Sequence, residues 1–120
     1  MLMSHWTAIM LMPILHLVFS IYLYKINFTS SNYIFGYKTP KSLKNEKTFR
    51  YANKFAQRLQ LILSILNLIL AVTIGIFINK TIKAFTLGSI ILAILSIMII
   101  PITEMFLSLI FDKNGNSNLN

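Results

Sequence analysis

The sequence has no cysteine, three acidic residues, three prolines and four glycines in 120 positions. Without thiols there are no disulfides, no thiolate nucleophile and no Cys-ligated zinc or iron–sulfur centre. The acids are Glu46, Glu104 and Asp112. No two of them stand at a spacing that one helix would bring together for acid–base work. The H-E-x-x-H, G-x-S-x-G and Walker-type patterns are missing as well. His5 and His16 lie about 16 Å apart by helical rise, too far to share a metal. The expectation is a protein that is not an enzyme, with no catalytic, cofactor or metal site.

Charged residues make up 12% of the chain and hydrophobic ones 56%, and mean hydropathy is +0.70. Soluble domains carry about 25% charged residues, so half that fraction cannot coat a water-facing surface. Disorder is excluded by the same apolar excess. Three stretches hold no Asp, Glu, Lys or Arg: 1–24, 59–78 and 84–103. Each is long enough to cross a hydrocarbon core of about 30 Å. Backbone groups in lipid must pair within their own segment, so all three read as helices rather than strands. The fold class is therefore all-α: an integral membrane bundle of three transmembrane helices in one domain, 1–120. Its spans are expected near 5–25, 58–79 and 84–108, with a loop over 26–57 and a frayed polar tail over 113–120. The first span lacks a basic leader and an A-x-A-like site and reads as a retained helix, with Trp6, Tyr22 and Tyr24 as interfacial anchors.

Net charge is +8. In an apolar chain this points to anionic lipid rather than nucleic acid. Eight of the eleven basic residues lie between Lys25 and Arg58, against Lys80 and Lys83 in the second connection. The positive-inside rule then puts the first loop and the C-terminus in the cytoplasm and the N-terminus outside.

Within the spans, small and polar residues mark where helices meet. Gln60, Ser64, Asn67, Ala71 and Gly75 form one stripe; Ser89, Ala93, Ser96 and Thr103 form another; Pro13, His16 and Ser20 share a face of the first span. These stripes are expected to be seams of the bundle, with a polar groove for a membrane peptide as the sharper alternative. His16 is expected to bond neutrally across the seam. Glu104 is expected to pair with Lys54 or Arg58 and so anchor the basic loop.

In that loop Gly36 permits positive φ, and Thr39-Pro40 suits a cap followed by a first helical position. Asn45 caps a helix opening at Glu46. From there Phe49, Ala52, Phe55, Ala56 and Leu59 share one face, and Lys47, Arg50, Lys54 and Arg58 another. This is a basic amphipathic helix of the kind that lies in the headgroup layer before turning into a span.

The run Gly36-Tyr-Lys-Thr-Pro-Lys-Ser-Leu-Lys-Asn-Glu-Lys-Thr-Phe-Arg-Tyr-Ala-Asn-Lys-Phe55 resembles the SdpI family of bacterial membrane proteins. In that family a GYRTPxS…N…W…AN motif precedes two spanning helices. Lys38 stands where the family commonly has Arg, and Phe49 where it commonly has Trp. Pro101-Ile-Thr-Glu-Met-Phe-Leu107 and Phe111-Asp-Lys-Asn-Gly115 are similar to its closing segment, so the likeness covers residues 10–116. The resemblance implies immunity to a secreted toxin peptide, and signalling through recruitment of a cytoplasmic repressor to the membrane. It singles out Gly36, Tyr37, Lys38, Thr39, Pro40, Ser42, Asn45, Phe49, Ala52 and Asn53, with Thr103 and Glu104. Arg50 and Lys54 are added as a partner-binding face, and His16, Asn67 and Ser96 as polar groups inside the membrane. Expected partners are the anionic inner leaflet, a peptide toxin and a repressor, with no direct nucleic-acid contact and the oligomeric state open. The alternative is a small non-catalytic subunit of a transporter or membrane enzyme complex.

Overall fold

A computed structural model describes residues 4–26 and 36–117. Residues 27–35 of the expected loop and 118–120 of the tail lie outside the described residues. Three helices follow in order: α1 His5–Tyr24, α2 Glu46–Phe77 and α3 Thr81–Ile110. All three are long and apolar enough to cross a membrane, and the described residues contain no strand.

The sequence dictates the ends. Ser4 caps α1 by accepting from the Thr7 N–H at 3.1 Å. At the start of α2, Asn45 and Thr48 form a reciprocal capping box, with Glu46 in the first turn where the helix dipole favours an anion. Between α2 and α3 only residues 78–80 intervene, which forces a tight hairpin.

The basic amphipathic segment is not a separate surface helix. No glycine or proline occurs from Glu46 to Ile74, so nothing breaks the backbone, and α2 runs unbroken for 32 residues. At 1.5 Å per residue it is about 48 Å long, well beyond a hydrocarbon core of about 30 Å. Its basic first third therefore continues the span along one axis.

Central α2 packs along both neighbours, while α1 and α3 meet less. Its expected seam is there: Ser64, Asn67, Ala71 and Gly75 are all buried. So are Pro13 and Ser20 on α1. At one end Ile9, Ala71, Ile74 and Ala84 form a core. Beside it the Trp6 ring lies so close over Gly75 that a Cβ there would sit 2.5 Å from it. The His5 ring ties α1 to the hairpin, donating from Nε2 to the Gly75 carbonyl at 3.0 Å and meeting Thr81 Oγ1 at 2.9 Å. At the other end Ala52, Leu107 and Phe111 form a second core.

The third helix departs from expectation. Ser96 and Ala93 are exposed, and none of the most apolar eighteen-residue stretch of α3 is buried. Ser96 is therefore not a seam residue. Its hydroxyl donates to the Leu92 carbonyl at 2.8 Å, and Thr86 and Ser89 bond back in the same way. A hydroxyl satisfied by its own helix can face lipid at little cost, so small polar residues on α3 did not have to mark an interface.

The tail does not fray where it is described. Asp112 Oδ1 accepts from the Asn114 and Asn116 N–H groups, each at 2.9 Å, and Phe111 bridges to Ser117. Residues 111–117 thus fold back as a compact turn, because the Asp112 carboxylate and the 112–116 backbone supply one another with partners.

Candidate functional site

The motif residues assemble at the end of the bundle where α2 begins and α3 ends. Asn53, about two helical turns into α2, is 2% exposed. Its Oδ1 accepts from the Tyr37 N–H at 2.6 Å, and its Nδ2 donates to the Tyr37 carbonyl and the Phe49 carbonyl, both at 3.0 Å. One amide thereby holds both backbone groups of a loop residue as a neighbouring strand would. Gly36, with φ of 134°, turns the chain into this clamp.

The next residues form a single turn rather than a helix. Leu43 N–H reaches the Thr39 carbonyl at 2.9 Å. Thr39 and Ser42 cap each other: the Thr39 N–H donates to Ser42 Oγ at 2.7 Å and the Ser42 N–H to Thr39 Oγ1 at 3.2 Å. Ser42 is wholly buried, and its carbonyl accepts from Thr48 Oγ1 at 2.9 Å. Thr48 Oγ1 in turn accepts from the Asn45 N–H at 3.0 Å. Asn45 uses its remaining donor on the Gly115 carbonyl at 2.9 Å, which pins the tail to the start of α2. Lys44 Nζ adds a bond to the Lys113 carbonyl at 2.6 Å, and Lys41 Nζ one to Ser108 Oγ.

Glu104 joins α3 to this loop, but not through the basic face of α2. Its Oε2 accepts from Thr39 Oγ1 at 3.2 Å, and the Tyr37 ring lies against it while the phenol donates to the Ile100 carbonyl at 3.1 Å. Lys54 and Arg58 line a cavity with Tyr24 and Phe55 instead. The expected ion pair is thus replaced by hydroxyl contacts: the motif's own Thr39 reaches the carboxylate. Burial first, and the Glu104 charge second, push the Tyr37 phenol up to about 12. The folded state therefore keeps that proton while an unfolded chain loses it near pH 10. The contribution to stability is complete below pH 10 and disappears as pH rises from 10 to 12. A phenolate absorbance titration of the folded protein should show a late-ionising component from Tyr37, and Tyr37→Phe should remove it. If Tyr37→Phe leaves the curve unchanged, the loop does not sit on Glu104.

The structure brings together Gly36, Tyr37, Thr39, Ser42, Asn45, Asn53 and Glu104. Phe49 and Ala52 are wholly buried beneath them. Thr103 is buried too, with an unpartnered Oγ1. Lys38 and Pro40 are exposed, as are Arg50 and Lys54. Deeper in the bundle, the Gln60 amide donates to His16 Nε2 at 2.8 Å, which joins α1 to α2 across their seam. Asn67 is buried with its Nδ2 unpartnered. Three contributors escape sequence reasoning: Thr48, Gln57 and Gly115. Thr48 was accessible from the Asn-x-x-Thr spacing of a capping box. Gln57, which donates to the Leu23 and Ile26 carbonyls at 2.5 and 2.7 Å, carries no such signal.

Among the described residues no group of three or more His, Asp or Glu could hold a metal. No curated protein and no solved structure matches the chain at a significant level. A family model, that of the SdpI/YfhL protein family, matches residues 29–104. That interval starts before the clamp and ends on Glu104, taking in α2 and most of α3 and leaving out α1, the last turns of α3 and the closing tail. It covers well over half of the sequence, and the chain belongs to the SdpI/YfhL family.

Proposed function

We propose that this protein is a bacterial membrane immunity protein that protects against a secreted antimicrobial peptide, and that its fastened loop also serves to recruit a cytoplasmic repressor. Family membership points to a membrane immunity or signalling role. The observation that carries the reading is how the motif's polar side chains are used. Asn53, Thr48, Ser42 and Asn45 are spent on holding backbone, and Glu104 on holding the loop. Such an assembly presents a shaped surface and leaves no acid–base pair poised for chemistry. Between the helices, Asn67 Nδ2 and Thr103 Oγ1 are buried without partners, and the backbone of an apolar peptide that parts the helices would satisfy them. The bias of basic residues favours a multi-pass arrangement in the cell membrane with the N-terminus outside and the loop facing an anionic inner leaflet.

Expression in a sensitive host should raise survival against one member of a panel of secreted apolar peptides, and Asn67→Leu with Thr103→Val should lower it by about tenfold or more. Equal killing with and without the protein across the panel overturns immunity. The lipid-facing stretch of α3 favours a second reading, a non-catalytic subunit of a larger membrane complex. That reading requires co-purification with a larger membrane protein and no protection by this chain alone.

A further inference from the structure

Between the C-terminal end of α1, the N-terminal part of α2 and the flank of α3 lies a cavity of about 700 Å³. Lys25, Arg50, Lys54 and Arg58 all line it. The last three follow at intervals of four on α2, one ridge of the helix, about one turn apart. Its apolar wall is firm: Phe55 of α2 and Phe106 of α3 stack with ring centroids 4.1 Å apart and planes within 7°. The α1 side is held by Gln57, whose amide is occupied by the Leu23 and Ile26 carbonyls.

Cations gathered round one cavity repel each other unless an anion answers them. The chain has only three acids to offer, and none lines this cavity among the described residues. Glu104 is engaged with Thr39, Asp112 accepts from its own turn, and Glu46 is one turn from Arg50 but two and three turns from Lys54 and Arg58. The countercharge for Lys54 and Arg58 is best supplied from outside the chain. Depth narrows the choice. Arg58 stands at the mouth of the apolar run, and Arg50 is about 12 Å farther out along the helix. The polar layer of a bilayer occupies about 5–8 Å on each side of the hydrocarbon. Lys54, about 6 Å from Arg58, therefore lies within the phosphate layer, with Arg58 at its inner edge and the long Arg50 side chain reaching back to it from outside.

We propose that this cavity binds a phosphate group, with Arg50, Lys54 and Arg58 as its ligands. Arginine forks match phosphate oxygens in pairs, and Lys54 adds a point charge between them. Tyr51, Phe55 and Phe106 give apolar cover to whatever carbon the phosphate carries. Two sources share this chemistry: the phosphodiester of an anionic phospholipid, which the depth favours, and a free phosphate ester from the cytoplasm. The site is independent of the immunity reading, since it can be tested on purified protein without any toxin.

The experiment places the full chain in bilayer discs of phosphatidylcholine with a minor fraction of phosphatidylglycerol, and counts co-isolated lipids by native mass spectrometry. The wild type should hold phosphatidylglycerol about tenfold above its share of the bilayer. The variant R50Q/K54Q/R58Q should lose that enrichment, while K47Q/K80Q/K83Q, with the same loss of charge elsewhere, should keep it. Circular dichroism checks that both retain their helices, and K54Q alone, expected to lose part of the enrichment, serves if the triple variant does not fold. Inorganic phosphate and glycerol phosphate are titrated calorimetrically in parallel. Binding of either to wild type but not to the cavity variant, without lipid enrichment, supports the site with a soluble occupant. Equal loss in both triple variants reduces the effect to bulk charge and overturns the proposal. So does a wild type that neither enriches the lipid nor binds either soluble phosphate.

Discussion

Asn53→Leu is expected to free the 36–45 loop from α2 and to destabilise the folded protein by about 1–3 kcal/mol, the range for leaving one buried backbone N–H, that of Tyr37, unpaired. Leucine shares the γ-branch of asparagine and is the better helix former, so a weakened α2 is not the cause of the loss. What disappears is an acceptor for the Tyr37 N–H and donors for the Tyr37 and Phe49 carbonyls. Without that hold, Tyr37 no longer lies on Glu104, and Thr39 loses its place beside the carboxylate. Limited trypsin digestion at Lys38, Lys41 and Lys44 should accelerate by about tenfold or more. Asn67→Leu is the informative companion. Asn67 is as buried as Asn53, at 2% exposure each, but its Nδ2 has no partner. Removing it leaves no new orphan on a neighbour through that atom, so trypsin digestion at the loop should stay at the wild-type rate. If Asn53→Leu digests no faster than Asn67→Leu, the clamp is not what fastens the loop.

The contrast between these two asparagines also shows what a linear sequence can reveal. Apolar run lengths dictate three helices, because hydrocarbon leaves the backbone no other way to pair. The α2 seam was readable from Gln60 to Gly75 because small and polar residues recur there at helical spacing. The same pattern misled on α3, where Ser96 satisfies itself on Leu92 and faces outward. Spacing reports a face of a helix and says nothing about which neighbour covers it. Asn53 and Glu104 were both conspicuous as residues, but their partners were not. Which hydroxyl or backbone group reaches a buried amide depends on how the loop folds back over long sequence separations. Arg58 and Lys54 were the obvious cations for Glu104 by depth alone, yet they lie on the side of α2 that faces the end of α1.

The tail gives the second large effect. Gly115→Ala should detach residues 111–117 from the start of α2, because it meets two obstacles at once. Gly115 has φ of 84°, where an L-residue with a Cβ is strained by about 1–2 kcal/mol. The new Cβ would also sit 2.8 Å from Asn45 Nδ2 and 3.1 Å from Lys44 Cβ. Asn45 cannot swing aside freely, since its Oδ1 accepts from the Thr48 N–H at 2.9 Å and caps α2. Either the tail leaves or the cap opens. Losing a cap costs about 1 kcal/mol by itself, so departure of the tail is the easier escape. It exposes the Lys113 peptide bond, and trypsin cleavage there should quicken by about tenfold. Gly115→Asn separates the two causes, because asparagine tolerates positive φ yet still carries a Cβ. Slower cleavage in Gly115→Asn than in Gly115→Ala assigns the effect to backbone conformation; equal cleavage assigns it to the contact with Asn45. Wild-type rates in both would mean that the tail is not seated on the cap, and that Phe111 alone, packed edge-on against Tyr51 with centroids 5.5 Å apart, holds the end of the chain.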